Sequence, residues 1–453
     1  MKILLISYFI APLHKIGSVR WTKISKYLKK NHDTTIDVLT MEKDYDRNPS
    51  VYSVERKDKI LEADLEVFNK YTTIRYGITT SIFRYLYYKI RNRSKTTSSI
   101  VSQLGDGNSE MGFCEIEKVR GYIAKKLKEW LQTTKERLET KDSIKKCSRY
   151  GLREASNYDV VISSYSPIWT HLVAEQIKEA NPSIVWIADF RDAYAVDILS
   201  DDEYNKRKDF GRKHLTKADF VFKVVDGLNL FVPNGIVECL IPNGFDPDDA
   251  IAPIKPCRFN FVYTGSLYGN IRDLSPLFSA LKSLSEEAKI DLSDVTVDYA
   301  GVDGSEIMKM ASQFGLQKLV INHGRIAHTE ALKLQSTGAI LLLADWNTER
   351  NKPYWSGKAY EYMMSRKPIV FIMSGDVAHS LPARNITKVG GVCYEKARST
   401  ETMIELKEYI VRQYTYWKAS GDVYLDTDEE YINKFSYPSI AESVWCLLKN
   451  RTE

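Results

Sequence analysis

The chain has 453 residues, 64 lysines and arginines against 59 acids, and a formal net charge of +5. That length exceeds one ordinary core and points to two domains, while 43% hydrophobic and 27% charged residues exclude a disordered or membrane-embedded chain. So mild a charge does not argue for a nucleic-acid partner. None of the six cysteines forms a C-x-x-C pair or a His–Cys cluster with metal spacing. Scattered reduced thiols place the protein in the cytoplasm. No apolar run approaches the roughly 20 residues that span a bilayer.

The opening MKILLISYFIAPLHK imitates a secretory signal, with one lysine before a short apolar run. It lacks a small-residue cleavage site, and a glycine loop follows directly, so Lys2 to Phe9 reads as a buried parallel strand. Pro12, Gly17 and Ser18 make the loop. RWTKISKYLKKN then places Trp21, Ile24 and Leu28 on one helical face, and Thr35 to Thr40 is the next strand. This strand–loop–helix–strand unit begins an open parallel sheet.

Residues from about 41 to 150 break that rhythm. Thr80 to Arg93 reads as a helix with Ile82, Phe83, Leu86 and Ile90 on its apolar face and Arg84, Arg91 and Lys95 outside. Ser94 to Phe113, rich in glycine and serine, reads as a mobile loop. A long helix follows, with Val119, Ile123, Leu127, Trp130 and Leu131 as its apolar face. Its outer face is basic through Lys125, Lys126, Lys128, Lys135 and Arg137.

Alternation resumes with strands at Asp159 to Pro167, Ser183 to Tyr194, Ala218 to Val225 and Cys239 to Pro247. Ile251 to Arg258 carries two prolines and reads as a linker. A second series starts at Phe259 to Gly269. It continues through Thr296 to Gly301, Leu319 to Gly324, Ala339 to Ala344, Pro368 to Met373 and Val392 to Glu395. The expected architecture is α/β, with two doubly wound Rossmann-like halves. Residues 1–250 form the first, with the insert at 41–150; residues 251–434 form the second; a C-terminal helix at about 435–453 packs back on the first.

Ligands of open α/β sheets bind outside the carboxyl ends of the strands, so residues that directly follow strands carry the information. Gly17 would let backbone approach a ligand at the start of a helix, although a simple strand–helix turn explains it equally well. In TGSLYGNIRD, Gly265 and Ser266 follow a strand and Arg272 is expected to open the next helix, where a guanidinium can fork onto a diphosphate. In SGKAYEYMMSRKPIV, Ser356 and Gly357 would offer backbone amides, Lys358 a point charge, and Glu361, one turn on, a carboxylate for two adjacent hydroxyls. Desolvated, such charged hydrogen bonds contribute about 1.5–3 kcal/mol each. The same spacing also fits a Lys–Glu surface pair contributing only about 0.2–0.5 kcal/mol.

ADFRDAY puts Asp189, Arg191 and Asp192 at a strand end, either paired structurally or lining a cleft. In SSYSPIWTH, Ser166 and His171 follow another strand, and a lone histidine there is commonly structural. D-x-D occurs at Asp44–Asp46, Asp246–Asp248 and Asp426–Asp428, always in loop-like or acidic context, so no metal-bound diphosphate is expected. No P-loop, nucleophile elbow or H-E-x-x-H is present.

Seven motifs in order, IGSVRWTKISKYL, SSYSP, ADFRDAY, IPNGFD, YTGSLYGNIRD, GRIAHTEALKLQ and SGKAYEYMMSRKPIV, resemble glycosyltransferase family 4, in its bacterial surface-polysaccharide branch. The likeness covers most of the chain and is weakest from about 41 to 150. It implies a GT-B fold and a retaining transferase working without metal or other cofactor. The first half would take a saccharide or lipid-linked acceptor, the second a nucleotide-sugar donor, by default a UDP-sugar.

By this resemblance Glu361 would hold the ribose, and Ser356, Gly357 and Lys358 would lie beside the diphosphate with Gly265, Ser266 and Arg272. Arg325 and Ile326 would line the base, and Gly17 would face diphosphate and acceptor. Arg20, Ser166, His171 and Asp189 fall on the acceptor side. Asp192 and Arg191 join Lys358 and Arg272 as candidates near the chemistry.

The pattern departs from the family twice. Counting eight back from Glu361 reaches Pro353, where many members carry a first glutamate, and Ser266 stands where many carry arginine. A catalytically inactive nucleotide-sugar-binding scaffold is therefore the alternative. The basic helices also suggest a peripheral seat on the anionic inner face of the plasma membrane.

Overall fold

The computed structural model describes residues 1–12, 16–43, 64–101, 113–191, 201–225, 232–269, 271–349 and 352–452. Two wholly parallel sheets organise them. The first contains β1 (Lys2–Ser7), β2 (Thr35–Met41), β3 (Lys70–Ile74), β4 (Val160–Tyr165), β5 (Val185–Phe190), β6 (Phe220–Lys223) and β7 (Val237–Leu240), in the order β3-β2-β1-β4-β5-β6-β7. The central runs KILLIS, VVISSY and VWIADF are almost continuously buried, as parallel strands covered on both faces must be. β3 and β7 are partly exposed because they are edges.

The second sheet contains β8 (Phe259–Thr264), β9 (Val295–Ala300), β10 (Val320–Gly324), β11 (Ile340–Asn347), β12 (Ile369–Gly375) and β13 (Gly391–Glu395). Its order, β10-β9-β8-β11-β12-β13, repeats the pattern of the first. In each sheet the strand order reverses beside the first strand, between β1 and β4 and between β8 and β11. That reversal opens the crevice where doubly wound sheets bind ligands.

Helices α1 (Ile16–Asn31), α2 (Ile78–Val101), α3 (Phe113–Glu154), α4 (Trp169–Ala180) and α5 (Asp201–His214) accompany the first sheet. The second has α6 (Ser275–Glu286), α7 (Gly304–Ser312), α8 (His328–Thr337), α9 (Gly357–Ser365) and α10 (Ser399–Ser420). The last helix, α11 (Tyr437–Thr452), returns to the first sheet. Its Ile440, Ala441, Val444 and Leu448 share a core with Trp21, Ile24 and Leu28 of α1.

One carboxylate ties the segment after β7 back to α1. Asp246 accepts from Lys26 at 2.7 Å and Tyr27 at 2.6 Å and pairs with Lys23 at 2.9 Å, all on α1. Burial pushes this carboxyl up, but these donors outweigh it and hold it down at about 2. Of the other D-x-D aspartates, Asp428 caps a helical turn at Tyr431, and Asp44 and Asp46 lie outside the described residues.

Three sequence expectations change. Residues 94–101 are the end of α2, not loop, while 102–112 lie outside the described residues. The buried face of α2 is Thr80, Arg84 and Tyr87, and Ile82 and Leu86 face outward. On α3, Leu131 is buried, but Leu127 and Trp130 are exposed. The cause is long-range pairing: Arg84 binds Glu139 of α3 at 3.0 Å and lies over Tyr76, so the arginine goes inside. No helix among the described residues is long and apolar enough to cross a membrane.

Candidate active site

The N-terminal candidates converge beneath the surface. Arg20 and Asp189 are both fully buried. Arg20 donates from Nε and Nη2 to Asp189 Oδ1 at 3.1 and 2.9 Å, and from Nη1 and Nη2 to the carbonyls of Pro242 at 2.5 Å and Ile241 at 2.8 Å. Trp21 and Ser164 complete the carboxylate at Oδ2. The pair locks α1 to β5 and to the segment after β7. Both residues, expected on the acceptor side, lie in this internal clasp.

His171, also expected on the acceptor side, is buried as well. Its Nδ1 lies 2.7 Å from Ser163 Oγ, its ring packs on Phe190, and burial pushes its pKa down to about 3, leaving it neutral in the core.

Arg191, Gly17 and Ser166 do come together. A Cβ on Gly17 would lie 1.4 Å from Arg191 Nη1, so the missing side chain makes room for the guanidinium rather than for a ligand. Arg191 also donates to the Ser166 carbonyl at 3.3 Å and lies over the Phe9 ring. Ser166, with Tyr8, Tyr76, Tyr165 and Trp169, lines a cavity of about 550 Å³ at the carboxyl ends of β1 and β4, walled on one side by α3. Asp192 lies outside the described residues.

In the second sheet the candidates form an open cluster. Ser356 is the N-cap of α9 and Gly357 its first residue, so the first amides of the helix lie at the crevice beyond β11. Lys358 and Glu361 stand one turn apart without an ion pair between them. Lys358 turns instead to Gly265, where a Cβ would lie 1.7 Å from its Nζ and the backbone holds φ +132, a conformation that suits only glycine.

Burial and the neighbouring charge of Arg272 push Lys358 down to about 8, against the opposing pull of Glu361 and Asp345. Arg272 does not open α6 as expected but lies in the preceding loop. It donates to the Ser266 carbonyl at 3.4 Å, stacks over Tyr268 and faces Asp345 at 3.7 Å. Its buried Nε has no hydrogen-bond partner. Ser266 itself is tied to Asp303 at 2.6 Å.

Glu361 faces a cavity of about 150 Å³ shared by both halves, lined by Val19 and Lys23 of α1, Asp246, His328, Gly357 and Tyr437, among others. The buried Gln335 donates to Glu361 Oε2 at 3.2 Å and to Thr264 at 3.0 Å. His328 Nδ1 lies 3.9 Å from Glu361 Oε1. Beyond the loop after β10, His328 and Leu332 of α8 line this cavity. Arg325 is exposed and Ile326 half-buried in the same loop.

Two parallel sheets of this order match known architectures. A sucrose-phosphate synthase from Thermosynechococcus elongatus superposes with a TM-score of 0.56 at 14% identity, covering 99% of this chain and 98% of that one. TarM of S. aureus, in a mutant bound to fondaparinux, α-GlcNAc-glycerol and UDP, gives 0.53 at 11% identity over 99% of both chains. The N-terminal domain of a Candida albicans trehalose-6-phosphate phosphatase gives 0.56 at 10% identity, covering 100% and 97%. The fold is GT-B. No protein-family model and no curated protein sequence matches the chain.

Within this GT-B frame, sequence reasoning missed Asp345, Asp303 and Gln335. Asp345 lies in the C-terminal part of β11, directly after the apolar run AILLLA, and a carboxylate in that place was a usable signal. Asp345 offsets two cations while burial pushes its own pKa up. Asp303 and Gln335 are recognisable only through partners 37 and 26 residues away.

Proposed function

We propose that the chain is a glycosyltransferase that moves a sugar from a nucleotide-sugar donor, by preference a UDP-sugar, to a hydroxyl of a saccharide or lipid-linked acceptor. The carrying observation is the open cluster at α9. Lys358 and Arg272 converge with no direct Lys358–Glu361 pair, and burial and the Arg272 charge push Lys358 down against Glu361 and Asp345. Such a site is relieved by an anion, and a diphosphate fits both cations and the first amides of α9. Glu361, oriented by Gln335, accepts from the two ribose hydroxyls.

In the transfer, the bond from anomeric carbon to diphosphate oxygen breaks and a bond to the acceptor oxygen forms. The leaving diphosphate keeps the electron pair and takes the acceptor proton. Lys358, Arg272 and the helix amides stabilise its growing charge. The cavity beside Ser166 receives the acceptor, so residues 1–250 serve the acceptor and 251–434 the donor. Retention of configuration, and a role in capsule, O-antigen or exopolysaccharide assembly, follow from the seven ordered motifs as part of this reading.

A second reading has its own observation. Pro353 is buried where a first glutamate would contact the sugar, which favours a scaffold that binds donor without turnover. A panel of UDP- and GDP-sugars, screened by thermal shift and then by nucleotide release with a lipid-linked acceptor, separates the readings. Binding with release is expected; binding without release selects the scaffold; no binding of any nucleotide sugar overturns both.

A further inference from the structure

The insert turns its apolar residues outward. On α2, Ile78 is 83% exposed, Tyr85 62%, Ile82 52% and Leu86 40%. Spaced at 78, 82, 85 and 86, they form one stripe, which Lys89 continues. From 78 to 89 the stripe runs roughly 16 Å. α3 widens it: Trp130 is 57% and Leu127 47% exposed, and the Trp130 ring meets Phe83 edge-on with centroids 6.4 Å apart.

The opposite, inward face is polar and satisfied. Arg84 pairs with Glu139, and Asp142 accepts from Thr80 Oγ1 and the Gly77 amide, each at 2.7 Å. An inverted helix of this kind costs water contact across the whole stripe unless something covers it.

The charge pattern selects the cover. α2 carries Arg84, Lys89, Arg91, Arg93 and Lys95 and no acidic residue. Lys89 lies beside Tyr85 in the stripe, Lys128 is exposed next to Leu127, and Lys126, also exposed, pairs with Glu129 at 3.6 Å. Two such faces brought together would oppose like charges, which disfavours a second copy. An anionic surface with an apolar interior satisfies both halves of the pattern: aliphatic and aromatic side chains enter the acyl boundary while lysines remain at the phosphates. We infer that the α2–α3 face is the docking surface for an anionic lipid bilayer. The inference stands independently of the nucleotide site.

The full chain is sedimented with phosphatidylglycerol-containing vesicles and with phosphatidylcholine vesicles, at low and high salt. Binding to the anionic vesicles, weaker by about tenfold or more on phosphatidylcholine and at high salt, is expected. Ile82→Asp with Leu86→Asp should weaken it by about tenfold or more, with melting temperature and UDP binding unchanged. Lys89→Glu with Lys128→Glu, which leaves the apolar stripe intact, should weaken it about tenfold or more at low salt. No sedimentation with anionic vesicles overturns the inference, as does equal binding by the double aspartate variant. Wild-type self-association that this variant abolishes assigns the stripe to a second copy instead.

Discussion

Two charge clusters lie at carboxyl ends of strands in this molecule, and they are built oppositely. Asp189, at the end of β5, is closed: Arg20, Trp21 and Ser164 saturate it, and the arginine's other donors reach main-chain carbonyls. The cluster beyond β8 and β11 is open: Lys358 and Arg272 share a crevice, no ion pair joins Lys358 to Glu361, and Arg272 keeps a buried Nε without a partner. A buried charge with every partner supplied by the chain holds the fold together. Charges that the chain brings together and leaves incompletely answered are, in the function proposed above, the place for a ligand.

The contrast breaks most visibly at Asp189. Asp189→Ala should cost about 4 kcal/mol of stability in denaturant unfolding, because Arg20 is left buried and uncompensated. A loss within about 0.5 kcal/mol, the range of ordinary surface substitutions, would remove the distinction between the clusters. Lys358→Met should act on the other side, weakening UDP binding about a hundredfold while leaving the melting temperature level or higher. A clear drop in melting temperature would make Lys358 part of the fold instead.

The pH profile sharpens the same point. Lys358 must be protonated to hold a diphosphate, and its free-state pKa is pushed down to about 8. A bound anion raises it, so UDP affinity should be level below pH about 8 and fall above it by up to about tenfold per pH unit. In isothermal titration the Lys358→Met variant should lack this slope. In the unliganded fold the depressed pKa means the charged lysine disfavours folding at neutral pH, and that penalty diminishes between about 8 and the ordinary 10.5. The smallest effect is expected at Gln335. Gln335→Ala frees Glu361 to rotate and should weaken UDP binding about three- to tenfold, measured by the same titration.

Much of the fold was legible. Parallel strands buried on both faces must be apolar runs, and those near Lys2, Asp159, Ser183, Phe259, Ala339 and Pro368 stand out for that reason. The Gly265–Arg272 and Ser356–Glu361 stretches were legible as crevice residues, since one directly follows a strand and the other opens a helix beyond one. What the chain order hides is pairing over distance. Arg20 meets Asp189 across 169 residues and Arg84 meets Glu139 across 55, so a charged residue that looks like a surface or acceptor group ends inside. The inversion of α2 follows from the second of these pairings. At Gly17 the space left by the missing side chain is filled by Arg191, which no local pattern reveals.

Glu361 tests the central claim most directly. Isothermal titration of UDP into the wild-type chain and into Glu361→Ala, with thermal unfolding run alongside, separates binding from folding. The account expects at least about tenfold weaker binding at an unchanged melting temperature, in keeping with the loss of a carboxylate that accepts from two hydroxyls. Unchanged UDP affinity in the variant would contradict it.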